Sequence, residues 1–97
     1  MREIKFRGRV PDKGWLFGDL RHIGNNLIYI VDKFGHGSSV NPSTVGQYTG
    51  LRDSNGREIY EGDIVRVEHF GEESIHFANA RTRQQLLSLA MSTIIPN

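Results

Sequence analysis

The chain has 97 residues, with 11 glycines, no cysteine, and 12 Lys and Arg against 11 Asp and Glu, for a formal net charge of +1. This length predicts one small domain with a modest core, and a charge so near zero excludes a whole-molecule field that would draw it to nucleic acid or an anionic membrane. The lack of cysteine excludes a disulfide-stapled extracellular scaffold and points to a reducing compartment, with self-association supplying further stability.

The opening residues, MREIKFRGR, alternate charged and apolar side chains. No apolar h-region of a signal peptide is present, and no run approaches the roughly 18 apolar residues of a membrane span. The same alternation reads as a half-buried strand, with Ile4, Phe6 and Gly8 on one face and Lys5, Arg7 and Arg9 on the other. A turn is expected at PDKG (11–14), then a second strand, WLFGDLRHI, in which Gly18 marks a bulge or a close backbone approach. GNN at 24–26 signals a hairpin leading into a buried strand, LIYIV. Asp32 to Asn41 reads as a Gly/Ser-rich loop and NPST (41–44) as a further turn. VGQYTGL and REIY are the next strands, and Asn55-Gly56 between them is the dipeptide of a type I′ hairpin turn. EGD punctuates again before a last strand, IVRVEHF.

The pattern changes after Gly71. From Asn79 to Ser92 the apolar residues fall at Leu86, Leu87, Ala90 and Met91, with Ile94 and Ile95 prolonging the stripe. Spacings of three and four predict an amphipathic helix, with Asn79 as its cap and Pro96 beyond its end. The expected fold is therefore mainly β: a small antiparallel β-barrel or rolled sheet with one C-terminal amphipathic α-helix. Residues 1–70 would form the barrel domain, and 71–97 a loop plus a helix packed on the barrel or on a neighbouring subunit. Leu86, Leu87, Ala90, Met91 and Ile94 are the candidate oligomer interface.

IKFRGR, WLFGDL and above all VNPSTVGQYTGLRDSNGREIYEGDIVRV resemble the YopX family of small phage and prophage proteins, over about Met1 to Val67. The resemblance implies a mostly β, barrel-containing fold, a phage or prophage origin with the bacterial host cytoplasm as location, and self-association. It implies no reaction. Family members commonly continue past the GDIV block with further strands, a point at which the helical reading of this chain departs from the family.

Four carboxylates, Asp53, Glu58, Glu61 and Asp63, form the most enzyme-like group, since paired carboxylates work as acid and base when burial separates their pKa values. Asp53 opens a turn and Glu61 and Asp63 flank another, where such side chains bond nearby backbone amides, so no catalytic residue is assigned and the protein is read as a non-enzyme. His69 and His76 around Glu72 and Glu73 lack the second close pair of a zinc site, and the glycines match no phosphate-binding loop. Neither a metal nor a cofactor is expected.

Two binding surfaces stand out. Tyr48, Arg52, Arg57, Tyr60 and Arg66 are the candidate ligand-binding residues, suited to a host protein or a small nucleotide-type ligand. Arg2, Lys5, Arg7 and Arg9 alternate along the first strand and line one face of it, while Arg52, Arg57 and Arg66 with Tyr48 and Tyr60 offer the aromatic and basic surface that could stack bases and neutralise phosphates. Phe6, Trp15, Phe17, Tyr29, Tyr48 and Tyr60 are assigned mostly to the core by alternation. The first reading is thus an oligomeric, non-enzymatic phage binding protein, and the alternative a nucleic-acid-binding accessory protein.

Overall fold

The computed structural model describes residues 3–24, 27–69, 71–79 and 91–95. Nine strands run through them: β1 (Phe6–Val10), β2 (Gly14–Ile23), β3 (Leu27–Val31), β4 (Gly37–Ser39), β5 (Asn41–Arg52), β6 (Glu58–Tyr60), β7 (Ile64–His69), β8 (Glu72–Phe77) and β9 (Met91–Ile95). The described chain divides into two compact units, Glu3–Gln47 and the residues from Tyr48 onward, so β5 begins in one and ends in the other.

In the first unit the strands are antiparallel neighbours in the order β4-β3-β2-β1-β5. Between β1 and β2, Lys13 N–H donates to the Val10 carbonyl at 3.0 Å. Pro11 occupies the second position of this turn and Asp12 the third, with φ +65°, the arrangement of a type II turn. The positive φ thus falls on Asp12 as well as on the expected glycine. Gly18 is the close approach foreseen inside β2, because a Cβ built there would lie 2.0 Å from the Val31 carbonyl oxygen. Gly8 is buried against Val40 for a similar reason. Ile30 and Val40 form the buried apolar centre of this unit.

The stretch expected to be a turn at 41–44 is instead the start of β5. Asn41 gathers it locally: its Oδ1 accepts from Ser43 N–H at 3.1 Å, and its carbonyl accepts from the Thr44 hydroxyl at 2.6 Å. Thr44 Oγ1 in turn accepts the Arg9 amide at 2.8 Å, where the β1–β5 register shifts. Side-chain acceptors therefore carry the chain through a β-bulge.

In the second unit the end of β5 pairs with β6, and a three-stranded antiparallel sheet runs β8-β7-β9. Ile59, Val65, Val67 and Ala78 are its buried core, with Leu51 and Ile94 packed against them. Thr49 is buried with its hydroxyl donating to the Ile59 carbonyl at 2.7 Å, beside a register shift in the β5–β6 ladder. The β5–β6 loop is not type I′: Asn55 has a negative φ and only Gly56, at +83°, is left-handed. Gly56 N–H donates to the Asp53 carbonyl (2.9 Å) and Asp53 N–H to the Arg57 carbonyl (2.8 Å), which is a three-residue loop with a glycine bulge.

Two further expectations are overturned. No helix exists among the described residues, and Met91–Ile95 is strand β9, paired with β7 from Ile64↔Ile95 to Glu68↔Met91. Leu86, Leu87 and Ala90 lie outside the described residues, while Ile94 packs on the core of its own unit. The stripe of threes and fours is real, but Ser-Thr-Ile-Ile is rich in β-branched residues, and β7, once paired with β8, still has one free edge to fill. Nor do the described strands close a barrel. In the first unit β4 pairs with β3 alone, and in the second unit β8 and β9 each pair with β7 alone.

Candidate functional site

The acidic stretch resolves into turn chemistry. Asp53 has a fully buried side chain. Its Oδ1 accepts the amides of Asn55 (3.0 Å) and Arg57 (2.8 Å), and its Oδ2 accepts Arg57 Nε (3.0 Å) and the Ile94 amide (3.1 Å). Burial, the largest single influence, pushes this carboxyl up. The amides of Ile94, Arg57 and Asn55 together with the Arg57 guanidinium outweigh it and hold the pKa below the ordinary carboxylate value. Asp63 Oδ2 accepts the Tyr60 amide at 2.8 Å within a turn whose third residue is Gly62, φ +98°. Glu58 accepts the Tyr60 hydroxyl at 3.1 Å and faces Arg52 at 3.5 Å. A carboxylate with four donors on it and a lowered pKa is poorly placed to exchange protons near neutrality.

The five candidate ligand-binding residues are not gathered on one surface. Tyr48 and Tyr60 are only 6% and 2% exposed. They are a cross-strand pair with ring centroids 5.5 Å apart, which places both rings in the interior. Arg52 bonds the Gly56 carbonyl at 2.9 Å and pairs with Glu58. Arg57 is committed to Asp53 and, through Nη2, to the Ile94 carbonyl at 3.2 Å. Arg66 is exposed on β7 between Ile75 and Thr93. Four of the five therefore tie the second unit together.

The basic strand face is built differently. Antiparallel register sets Arg9 opposite Trp15 and Arg7 opposite Phe17, and directly opposed residues share a face. The Arg7 guanidinium lies 4.2 Å from the Trp15 ring centroid and that of Arg9 lies 6.0 Å away, within cation–π range. Trp15 and Phe17 are 39% and 47% exposed, so the reading that put them in the core is corrected. Farther along β2, exposed Arg21 stands opposite Tyr29. Sequence alternation had grouped Arg7 and Arg9 but missed the aromatics beside them. The signal was available in the turn: closing a hairpin at Pro11–Lys13 pairs Val10 with Gly14 and so aligns Arg9 with Trp15. Arg2, grouped with them in the sequence, lies outside the described residues.

Among the described residues no group of three or more His, Asp or Glu is gathered to hold a metal ion, and no helix is long and apolar enough to cross a membrane. The family profile described as YopX protein matches residues 25–88, nearly two thirds of the chain. The match begins later than the resemblance in IKFRGR and WLFGDL suggested. It also runs past the GDIV block through β8, where further strands are indeed found. Comparison with curated proteins and with solved structures finds no match.

Proposed function

We propose that this chain, which belongs to the YopX family, is a phage-type protein that works by binding and not by catalysis, taking single-stranded nucleic acid on the Arg7–Arg9–Trp15–Phe17 face. The observation that carries this reading is the pair of guanidinium groups held beside the exposed Trp15 ring. Stacking against an aromatic ring pre-organises the planar arginine fork for phosphate, while exposed aromatic rings offer platforms for bases. The structural commitments of Asp53, Glu58 and Asp63 support the non-catalytic part. A small nucleotide-type ligand held between Tyr48 and Tyr60 is less favoured, because reaching either ring means opening the core.

Titration of a labelled oligothymidylate at increasing salt tests the proposal. Three arginines (Arg7, Arg9 and Arg21) predict a slope of log affinity against log salt of about −2 for a single strand. Trp15 is the sole tryptophan, so its emission should change as the strand binds. Absence of binding at low salt would leave a protein partner as the remaining reading.

Self-association belongs to the same proposal. On β8, Ile75 and Phe77 are exposed, and β8 is paired on one side only among the described residues; such an edge is open to a second copy. Light scattering should find an assembly larger than the monomer at micromolar concentration, and Phe77→Glu should shift it toward monomer. A strict monomer throughout would exclude it.

A further inference from the structure

Two loops in this chain share one set of hydrogen bonds, one loop in each unit. In Asp32–His36 and in Asp53–Arg57 the aspartate amide donates to the carbonyl four residues on, at 2.8 Å in both. The glycine amide donates back to the aspartate carbonyl, at 3.0 Å for Gly35 and 2.9 Å for Gly56. Asp32 Oδ1 accepts Phe34 N–H and His36 N–H at 2.9 Å each, as Asp53 Oδ1 accepts those of Asn55 and Arg57. Gly35 and Gly56 have φ of +84° and +83°.

The Asp53 loop has an occupant. Its Oδ2 accepts the Ile94 amide, Ser54 N–H donates to the Ser92 carbonyl at 2.7 Å, and Arg57 Nη2 donates to the Ile94 carbonyl. A loop of this shape thus grips the backbone of an extended strand, with a guanidinium on the same carboxylate.

Among the described residues, Asp32 Oδ2 has no counterpart to these bonds, and His36 stands where the second loop has Arg57. What adjoins the Asp32 loop is a cavity of about 540 Å³, with Ile4, Phe17, Gly18, Val31, Asp32 and Phe34 among its walls. Ile4 and Phe34 are 70% and 72% exposed, an apolar lining that is costly to leave in water. The Glu3–Lys5 pair at 3.5 Å offsets itself. That leaves the carboxylates of Asp19 and Asp32 against Lys33, whose ammonium lies 5.2 Å from the Phe34 ring, so the groove favours a cation.

We propose that this groove is a second strand-docking site, and that it takes an extended apolar peptide carrying an arginine from another protein. The peptide backbone donates an N–H to Asp32 Oδ2 as Ile94 does to Asp53. Its arginine supplies the guanidinium that Arg57 supplies in the second loop, and its apolar side chains cover Ile4 and Phe34. Main-chain bonds of this kind give affinity, and side-chain pockets give selectivity.

The test is a titration of the isotope-labelled full chain, followed by amide chemical shifts, with the capped peptide Ser-Thr-Ile-Arg-Ile, the apolar stretch of β9 with an arginine introduced. Saturable shifts at Val31, Phe34 and His36 are expected, with affinity at least fivefold weaker for Asp32→Asn. That variant keeps the Oδ1 acceptor of the loop and replaces Oδ2 by a donor. Phe34→Ala should weaken binding without touching the carboxylate, and a peptide with glutamate for arginine should bind more weakly still. Wild-type affinity in both variants would overturn the proposal. So would shifts confined to β9 and the Asp53 loop, or an oligothymidylate producing the same shifts at Phe34 and His36.

Discussion

Asp53 shows how one side chain decides the character of a whole stretch. As a carboxylate among three neighbouring acids it looks like chemistry, yet it is buried and accepts four hydrogen bonds, three from its own loop and one from Ile94 of β9. Removing it leaves three partly buried amides and one guanidinium without their acceptor. Asp53→Ala should therefore lower the free energy of unfolding by about 3 kcal/mol, read as a lower urea midpoint at unchanged slope. The pH dependence has a definite sign. Because the folded pKa lies below the unfolded one, this contribution is fully present above the unfolded value, about pH 4, and is lost as pH falls through the folded value. Asp53→Asn should flatten that part of the acid-stability curve. Gly18 is the other residue with a single physical role. A Cβ there meets backbone, the Val31 carbonyl at 2.0 Å, which cannot move aside like a side chain. Gly18→Ala should cost about 1–3 kcal/mol, measured by thermal or urea unfolding.

At the scale of elements, the decisive object is β9. Its residues were legible as an apolar stripe, but their conformation depends on β7. Five residue pairs join the two strands, Ile94 opposite Val65 and Ser92 opposite Val67. Once β8 is on one side of β7, an extended segment on the other satisfies the remaining edge and covers the Val65–Val67 core. The Ile94 amide should be among the slow-exchanging ones by hydrogen exchange. Ile94→Pro, which deletes the donor to Asp53, should cost about 3 kcal/mol or more, well beyond the cost of Ile94→Ala. The strands β1 to β3 and β5 to β7 were readable because period-two alternation and glycine-bearing turns act locally. The Asn55-Gly56 turn was located correctly and mistyped. Asp53 can cap a loop from its first position, and that favours a type I turn with Gly56 alone at positive φ.

For the whole molecule, a net charge of +1 means that any attraction to nucleic acid is local. Arg7→Ala and Arg9→Ala should each reduce the magnitude of the salt slope by about 0.7. Arg66→Ala, on a strand of the other unit, should leave the slope unchanged. Trp15→Ala should weaken binding while keeping the slope, since it removes a stacking platform and no charge. Equal effects from all four variants would indicate non-specific attraction instead of a surface.

The sequence by itself determined the β class, the family, and the positions of most turns, because these follow from the pleat, from residue-specific φ preferences and from a long ungapped similarity. It also showed that Arg7 and Arg9 share a face. Only the tertiary structure decided which aromatics are covered. Alternation says which side chains lie together, not which side meets another layer, and Tyr48 and Tyr60 went in while Trp15 and Phe17 stayed out. Tertiary structure likewise made Met91–Ile95 a strand, since an apolar segment that short takes its conformation from the edge it completes.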